Sequence, residues 1–311
     1  MKQNSCIVVT GANGLAGSAV VKQFRKREFT CVVPLTREDA DLMHAEEVME
    51  TFARIKPEYV FHAAATVYGL QGNMDNQYKS LFENTLINTN VIHASRLVGV
   101  KKIVAMGTNA VYPWPAALPY REATIFDGPP HDGEFGYAHA KRHMLALLEA
   151  SGMDYTYLVS GNLYGPRDTF DPISGHVLPS LIHKFYEASI SPDDVVSIWG
   201  DGSAKRDFLF SEDLADIVGC VMGSDLTGAI NIGSGQTASI EYVAKRLCSV
   251  SGVGYDRVHY DITKPKGRPE CYADLSKLRG LGWRPSVMLG DGLKAAYNWY
   301  AADRNSRKIC P

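Results

Sequence analysis

In the first half of the chain, short apolar runs rich in β-branched residues alternate with stretches whose apolar residues recur every three or four positions. Residues 6–10 (Cys-Ile-Val-Val-Thr) read as a buried strand, and 18–27 as a helix with Ala16, Ala19, Val20 and Phe24 on one face. Residues 30–35 form a second strand, 44–55 a helix that Pro57 ends, and 59–62 a third strand running into Ala63-Ala64-Ala65. A long helix follows over 76–98, with Phe82, Leu86, Asn90 and His93 at helical spacing, and then a strand over 103–106. Another helix begins at Tyr137, and 155–159 is a further strand. Such alternation predicts a parallel sheet with helices on both faces. From Asp168 the alternation weakens into short strands (195–199, 229–232), loops and two helices (240–251, 289–303). The segment 206–213 is expected to return to the main sheet.

The turn between the first strand and the first helix carries Gly11, Gly14 and Gly17 in the spacing Gly-x-x-Gly-x-x-Gly. Gly11 permits the tight turn, Gly14 lets the backbone approach a pyrophosphate, and Gly17 lets helix and strand pack closely. The backbone around Asn13, Gly14 and Leu15 then offers free N–H groups at a helix N-terminus, where a phosphate is favoured. Small residues at Ala63 and Ala64 allow a dinucleotide to lie against the third strand. The acidic residue that receives the ribose 2′-hydroxyl in NAD enzymes is missing after the second strand. Arg37 stands there instead and can pair with a 2′-phosphate, so NADP(H) is the expected cofactor. The fold class is therefore α/β: a Rossmann doubly wound parallel sheet with a smaller C-terminal α/β substrate domain. Residues 1–167 are expected to form the NADP-binding domain, with return segments near 206–235, and 168–311 most of the substrate domain. With no repeat and no Pro/Gly/Ser linker, the two lobes are interleaved rather than tethered.

A length of 311 residues accommodates both lobes. A net charge of -2 gives no reason to expect nucleic acid or an anionic membrane as partner, and no apolar run is as long as a membrane span. The first strand begins almost at Met1, which leaves no room for a signal peptide and points to the cytoplasm. Cys6, Cys31, Cys220, Cys248, Cys271 and Cys310 are scattered without a Cys-x-x-Cys pair, which fits free thiols and no metal site.

Tyr137 and Lys141, four apart, share one helix face and can present a phenol and an ammonium to one site. They follow the Gly107-Thr108 strand end, where ligands bind in open α/β sheets. His62 is expected to be a packed strand-end residue rather than a catalyst.

These features, together with Asn162-Leu163-Tyr164-Gly165-Pro166, Gly175-His176-Val177-Leu178-Pro179, Trp199-Gly200-Asp201-Gly202, Arg206-Asp207-Phe208-Leu209, Asn231-Ile232-Gly233 and Lys264-Pro265-Lys266-Gly267-Arg268-Pro269, resemble the extended short-chain dehydrogenase/reductases acting on nucleotide sugars. The likeness covers nearly the whole chain and is greatest to the GDP-L-fucose synthase group of epimerase/reductases. It implies a cytoplasmic NADPH-dependent reductase of the carbon-4 ketone of a nucleotide-linked, GDP-linked by preference, 4-keto-6-deoxy sugar. Tyr137 is then the acid, Lys141 holds the nicotinamide ribose, and Thr108 binds the same oxygen as Tyr137. The substrate partners are Asn162, His176, Lys184, Trp199, Arg206 and Arg268, the two arginines facing the diphosphate. A homodimer through a four-helix bundle, formed by 76–98 and the helix from Tyr137, is implied as well. In the group's pattern a Cys in the loop after the strand end and a His in the Ser-His-Val-x-Pro segment move the protons of epimerisation. Here the His is His176, but the Cys position is Ala110, so epimerase activity is expected to be weak or lost. The alternatives are a full 3,5-epimerase/4-reductase and a non-catalytic NADP-binding sensor, against which Tyr137 and Lys141 both count.

Overall fold

The computed structural model describes residues 1–172, 175–264 and 268–309. Six parallel strands form the main sheet in the spatial order Val32–Leu35, Ile7–Thr10, Tyr59–His62, Lys102–Met106, Tyr155–Ser160 and Gly228–Ile232. The chain steps from the first strand to one side, then returns and builds to the other. The reversal lies between Ile7–Thr10 and Tyr59–His62, so a crevice opens beyond Thr10 and His62, where ligands bind in such sheets. Alternate side chains explain both layers. Ile7, Val9, Phe61, Val104 and Leu158 face helices Leu15–Lys26 and Ser211–Met222. Val8, Val60, Ile103 and Tyr157 face Ala45–Ile55, Gln77–Leu97 and Phe135–Ser151. Burial on both faces is what makes these strands read as continuous apolar runs.

A second core forms around Phe185, Val196, Phe208, Val243, Leu247 and Leu293. It lies among helices Val177–Ile190, Ile240–Ser251 and Leu289–Ile309 and two small sheets. One expectation fails here. The strand Lys205–Phe210 does not return to the main sheet. It pairs with Asn162–Tyr164, Thr237–Ser239 and Glu270–Cys271. What returns is the helix after it, Ser211–Met222, whose Leu214 and Val218 join the core with Val20 and Phe24, followed by the strand Gly228–Ile232, which pairs with Tyr155–Ser160. Three helices of this half were not expected from the sequence, Val177–Ile190, Ser211–Met222 and the short Ser276–Gly280.

Candidate active site

The glycine turn has the shape that its spacing predicts. Gly11 lies at φ +66, and a Cβ there would meet the Ala64 nitrogen at 2.8 Å. A Cβ on Gly17 would run into the carbonyl of Gly11. At Gly14 a Cβ would meet nothing closer than the Gly11 oxygen at 3.5 Å, so this face of the turn is open. Gly14 also caps helix Leu15–Lys26 without a side-chain hydrogen bond, leaving the first N–H groups directed at the opening. The cradle fits a pyrophosphate. Arg37 is exposed just past the second strand. Nearby Asp39 spends one carboxylate oxygen on Thr36, accepting from its backbone N–H at 2.8 Å and its hydroxyl at 2.9 Å.

A buried relay ties this cradle to the helix of Tyr137. The Thr10 hydroxyl oxygen accepts from the N–H groups of Ala63 and Ala64, both at 3.2 Å. Its own proton therefore goes to His62 Nδ1, 2.8 Å away. His62 Nε2 then donates to Asn88 Oδ1 at 3.0 Å, and Asn88 Nδ2 donates to the carbonyl of Ala140 at 3.2 Å. Desolvation, then the Lys141 charge, pushes the His62 imidazole down to about 3, so it stays neutral in the fold. Because the unfolded chain takes up this proton first, the stabilisation is complete above pH ~6.5 and is lost as pH falls toward about 3. At about 1.4 kcal/mol per pKa unit, urea midpoints should drop steeply below pH ~6, and His62→Gln should flatten that slope.

Tyr137 and Lys141 sit on one face of helix Phe135–Ser151, with the Lys141 Nζ 5.7 Å from the centre of the Tyr137 ring. Gly136 lets that helix begin against Gln77, whose side-chain oxygen accepts from the Gly136 N–H at 2.6 Å. Lys141 is 2% exposed and donates to the Met106 carbonyl at 2.7 Å, at the end of the strand Lys102–Met106. Burial pushes its ammonium down to about 8. Burial, then the Glu134 charge, raises the Tyr137 phenol, so at neutral pH it holds its proton and is ready to act as an acid. The Thr108 hydroxyl oxygen accepts from the Ala110 N–H at 3.2 Å, which leaves the hydroxyl proton free for another acceptor.

Arg206 and Arg268 come together beside Tyr120 and Cys271. Cys271 is paired in register with Arg206. Burial lowers the Arg206 guanidinium, Cys271 and Tyr120 oppose this, and the like charge of Arg268 adds to it. Arg268 donates to the Tyr120 phenol oxygen at 2.9 Å, lies 3.4 Å from Glu134 and stacks 4.6 Å from the Trp114 ring centre. Asn162 Nδ2 donates to the Asp207 carbonyl at 3.4 Å beside this strand. Trp199 and Lys184 belong to a separate patch: Lys184 Nζ donates to the Ser197 carbonyl at 2.8 Å, and Lys264 lies 5.9 Å from the half-exposed Trp199 ring. His176 caps helix Val177–Ile190. Its side chain is exposed, and desolvation holds the imidazole below its ordinary value.

This arrangement matches a known family. Residues 7–233 fit the family model described as the NAD dependent epimerase/dehydratase family. The chain belongs to that family. Among its curated relatives, GDP-L-fucose synthase 1 of Arabidopsis thaliana is 39% identical over 94% of this chain and 92% of its own. The GDP-L-fucose synthase of Escherichia coli is 31% identical over 96% and 97%. Among solved structures, the GDP-mannoheptose C4 reductase of Campylobacter jejuni with NADP bound superposes with a TM-score of 0.84 at 33% identity, covering 96% of this chain and 99% of that one. Membership makes this chain a short-chain-type nicotinamide dinucleotide enzyme, in keeping with the glycine cradle.

Three groups of the fold have no sequence signal of their own. Glu134 acts on Tyr137 through its charge and on Arg268 through an ion pair. Asp168 follows Arg167, a non-glycine residue at φ +65. Burial lifts its carboxyl to about 7, and among the described residues its Oδ2 has no hydrogen-bond partner. Asn109 reaches Cys271, more than 160 positions away in sequence, with Nδ2 donating to Sγ at 3.1 Å. Lone acids and amides are too common in sequence to single out.

Proposed function

We propose that this enzyme uses NADPH to reduce the carbon-4 ketone of a GDP-linked 4-keto sugar. The observation that carries this reading is the protonated Tyr137 phenol one helical turn from the buried Lys141, at the mouth of the dinucleotide crevice. When bound, the reduced nicotinamide supplies the hydride. Tyr137 gives its proton to the ketone oxygen while Thr108 donates a hydrogen bond to the same atom. Lys141, as an ammonium, favours the phenolate that remains. Arg206 and Arg268 hold the diphosphate through their planar forks. Trp199 and Lys184 line the nucleotide end, and Asn162 and His176 the sugar.

Because burial pushes the Lys141 ammonium down to about 8, its charged form is present below that value and lost above it. kcat/KM should fall as pH rises through ~8. A profile flat to pH 10 would remove the ammonium from the reaction. Arg37 reads the 2′-phosphate in this scheme. A hydrogen bond to a charged group contributes about 1.5–3 kcal/mol, so Arg37→Ala should cut the NADPH over NADH preference by about one to two decades. Equal losses for both cofactors would contradict it.

Inversion beside the ketone needs proton carriers on both faces of the sugar. Ala110 is 1% exposed and carries none, so reduction proceeds here without efficient epimerisation, and His176 binds a sugar hydroxyl. The full epimerase/reductase reading draws support from one observation, the Cys271 thiol beside Asn109. Incubation with NADP⁺ and GDP-4-keto-6-deoxymannose in D₂O, followed by reduction and product NMR, separates the two. Unchanged carbons 3 and 5 favour the reductase. Deuterium and inversion at both favour the alternative.

The reading divides the chain into an NADP-binding part over 1–167, with returns near 206–235, and a substrate part over most of 168–311. It also includes a homodimer. The packed helices Gln77–Leu97 and Phe135–Ser151 leave Tyr78, Phe82 and Phe135 exposed on the surface that a four-helix bundle would cover. Among the described residues no helix is long and apolar enough to cross a membrane, and the five described cysteines are free, which supports a cytoplasmic setting.

A further inference from the structure

Asn109 immediately follows Thr108, the residue placed at the ketone. Its side chain is half-exposed, and one end of it is already engaged: Nδ2 donates to Cys271 Sγ at 3.1 Å. Cys271 is itself fixed. It is 5% exposed, lies in the short strand Glu270–Cys271, and is in register with Arg206. The segment after it is clamped to the main body by reciprocal backbone bonds, Tyr120 N–H to the Tyr272 carbonyl at 3.1 Å and Asp274 N–H to the Tyr120 carbonyl at 2.8 Å. The backbone of Asn109 is held as well, its carbonyl accepting from the Tyr112 N–H at 3.2 Å. With one Nδ2 proton committed to the sulfur, the acceptor end of the amide, Oδ1, is still unspent. No described residue bonds Oδ1, and it is not enclosed.

We infer that Asn109 is a specificity residue, held in place by Cys271, whose Oδ1 accepts a hydrogen bond from the hydroxyl on the carbon next to the ketone. The inference rests on the carbon-4 ketoreductase reading and names its substrate class. In a pyranose with a carbon-4 ketone, carbon 5 carries the ring oxygen, so carbon 3 is the one neighbour that bears a hydroxyl. An acceptor beside the ketone-binding Thr108 therefore selects 4-keto sugars with a free 3-hydroxyl over their 3-deoxy counterparts. A site that hydrogen-bonds a substrate hydroxyl discriminates against the analogue lacking it, because its own polar group is left unpaired. Cys271 is a positioning residue in this scheme. It touches no substrate, and its sulfur decides which end of the amide faces the cleft.

The test compares kcat/KM for GDP-4-keto-6-deoxymannose and GDP-4-keto-3,6-dideoxymannose with NADPH. The wild-type enzyme should prefer the 3-hydroxy sugar by at least about tenfold, the scale of one hydrogen bond. Asn109→Leu should remove most of that preference by slowing the 3-hydroxy sugar and not the 3-deoxy sugar. Cys271→Ala, which releases the amide, should lower the ratio as well. Cys271→Ser, which keeps an acceptor for Nδ2, should restore it. NADPH binding by each variant, followed by fluorescence, establishes that the fold is intact. A ratio unchanged in Asn109→Leu, or equal loss for both sugars, would overturn the inference while leaving the reductase reading intact. Failure of the wild-type enzyme to reduce either sugar would instead overturn the reductase reading.

Discussion

Tyr137→Phe should reduce turnover by about 10²–10⁴-fold, the usual contribution of a positioned general acid, with NADPH affinity almost unchanged. The ring remains to pack against Lys141, so the loss isolates the proton. The phenol is raised by burial and by Glu134, so it is fully protonated throughout the working pH range, and its loss removes the donor rather than shifting an equilibrium. Stopped-flow NADPH oxidation under single-turnover conditions reads the chemical step directly. Turnover near the wild-type value would take Tyr137 out of the reaction.

Arg268→Ala should raise KM for the nucleotide sugar by about 10–100-fold, from the loss of a charge-assisted contact of about 1.5–3 kcal/mol, with kcat much less affected. The split follows from its part in the proposed scheme: Arg268, bound to Tyr120 and Glu134 and stacked on Trp114, holds the diphosphate and not the ketone. Contacts to a part of the substrate that does not react bind ground and transition states alike, so their loss appears in KM. Arg268→Lys should recover only part of the affinity, since an ammonium lacks the planar fork. Titration of GDP against each variant by calorimetry checks the binding term without turnover, and affinity for GDP unchanged in Arg268→Ala would place the diphosphate elsewhere.

The strands of the main sheet were legible because each is a short β-branched run bounded by turn residues, and the glycine cradle because three glycines at fixed spacing follow the first of them. Tyr137 and Lys141 were legible because one helical turn is a fixed interval. The expected place of 206–213 was wrong for a physical reason. Lys205–Phe210 opens on three charged residues and closes on three buried apolar ones, and nothing local says which sheet edge it joins; its partners Asn162–Tyr164 and Glu270–Cys271 lie more than forty positions away on either side. The same limit hid the contact of Asn109 with Cys271. Sequence proximity showed no thiol near the Thr108 strand end, yet the register of Glu270–Cys271 against Lys205–Phe210 delivers one. Burial also escaped the sequence: a carboxyl at Asp168 lifted to about 7 is made by its surroundings, not by its residue type.

Carbon-4 reduction is tested most directly by the reaction of the enzyme with GDP-4-keto-6-deoxymannose and NADPH carrying deuterium at the transferable position of the nicotinamide. One NADPH should be oxidised per sugar, and the product should carry its single deuterium on carbon 4. NADPH left unoxidised, or a product with no deuterium at carbon 4, would contradict it.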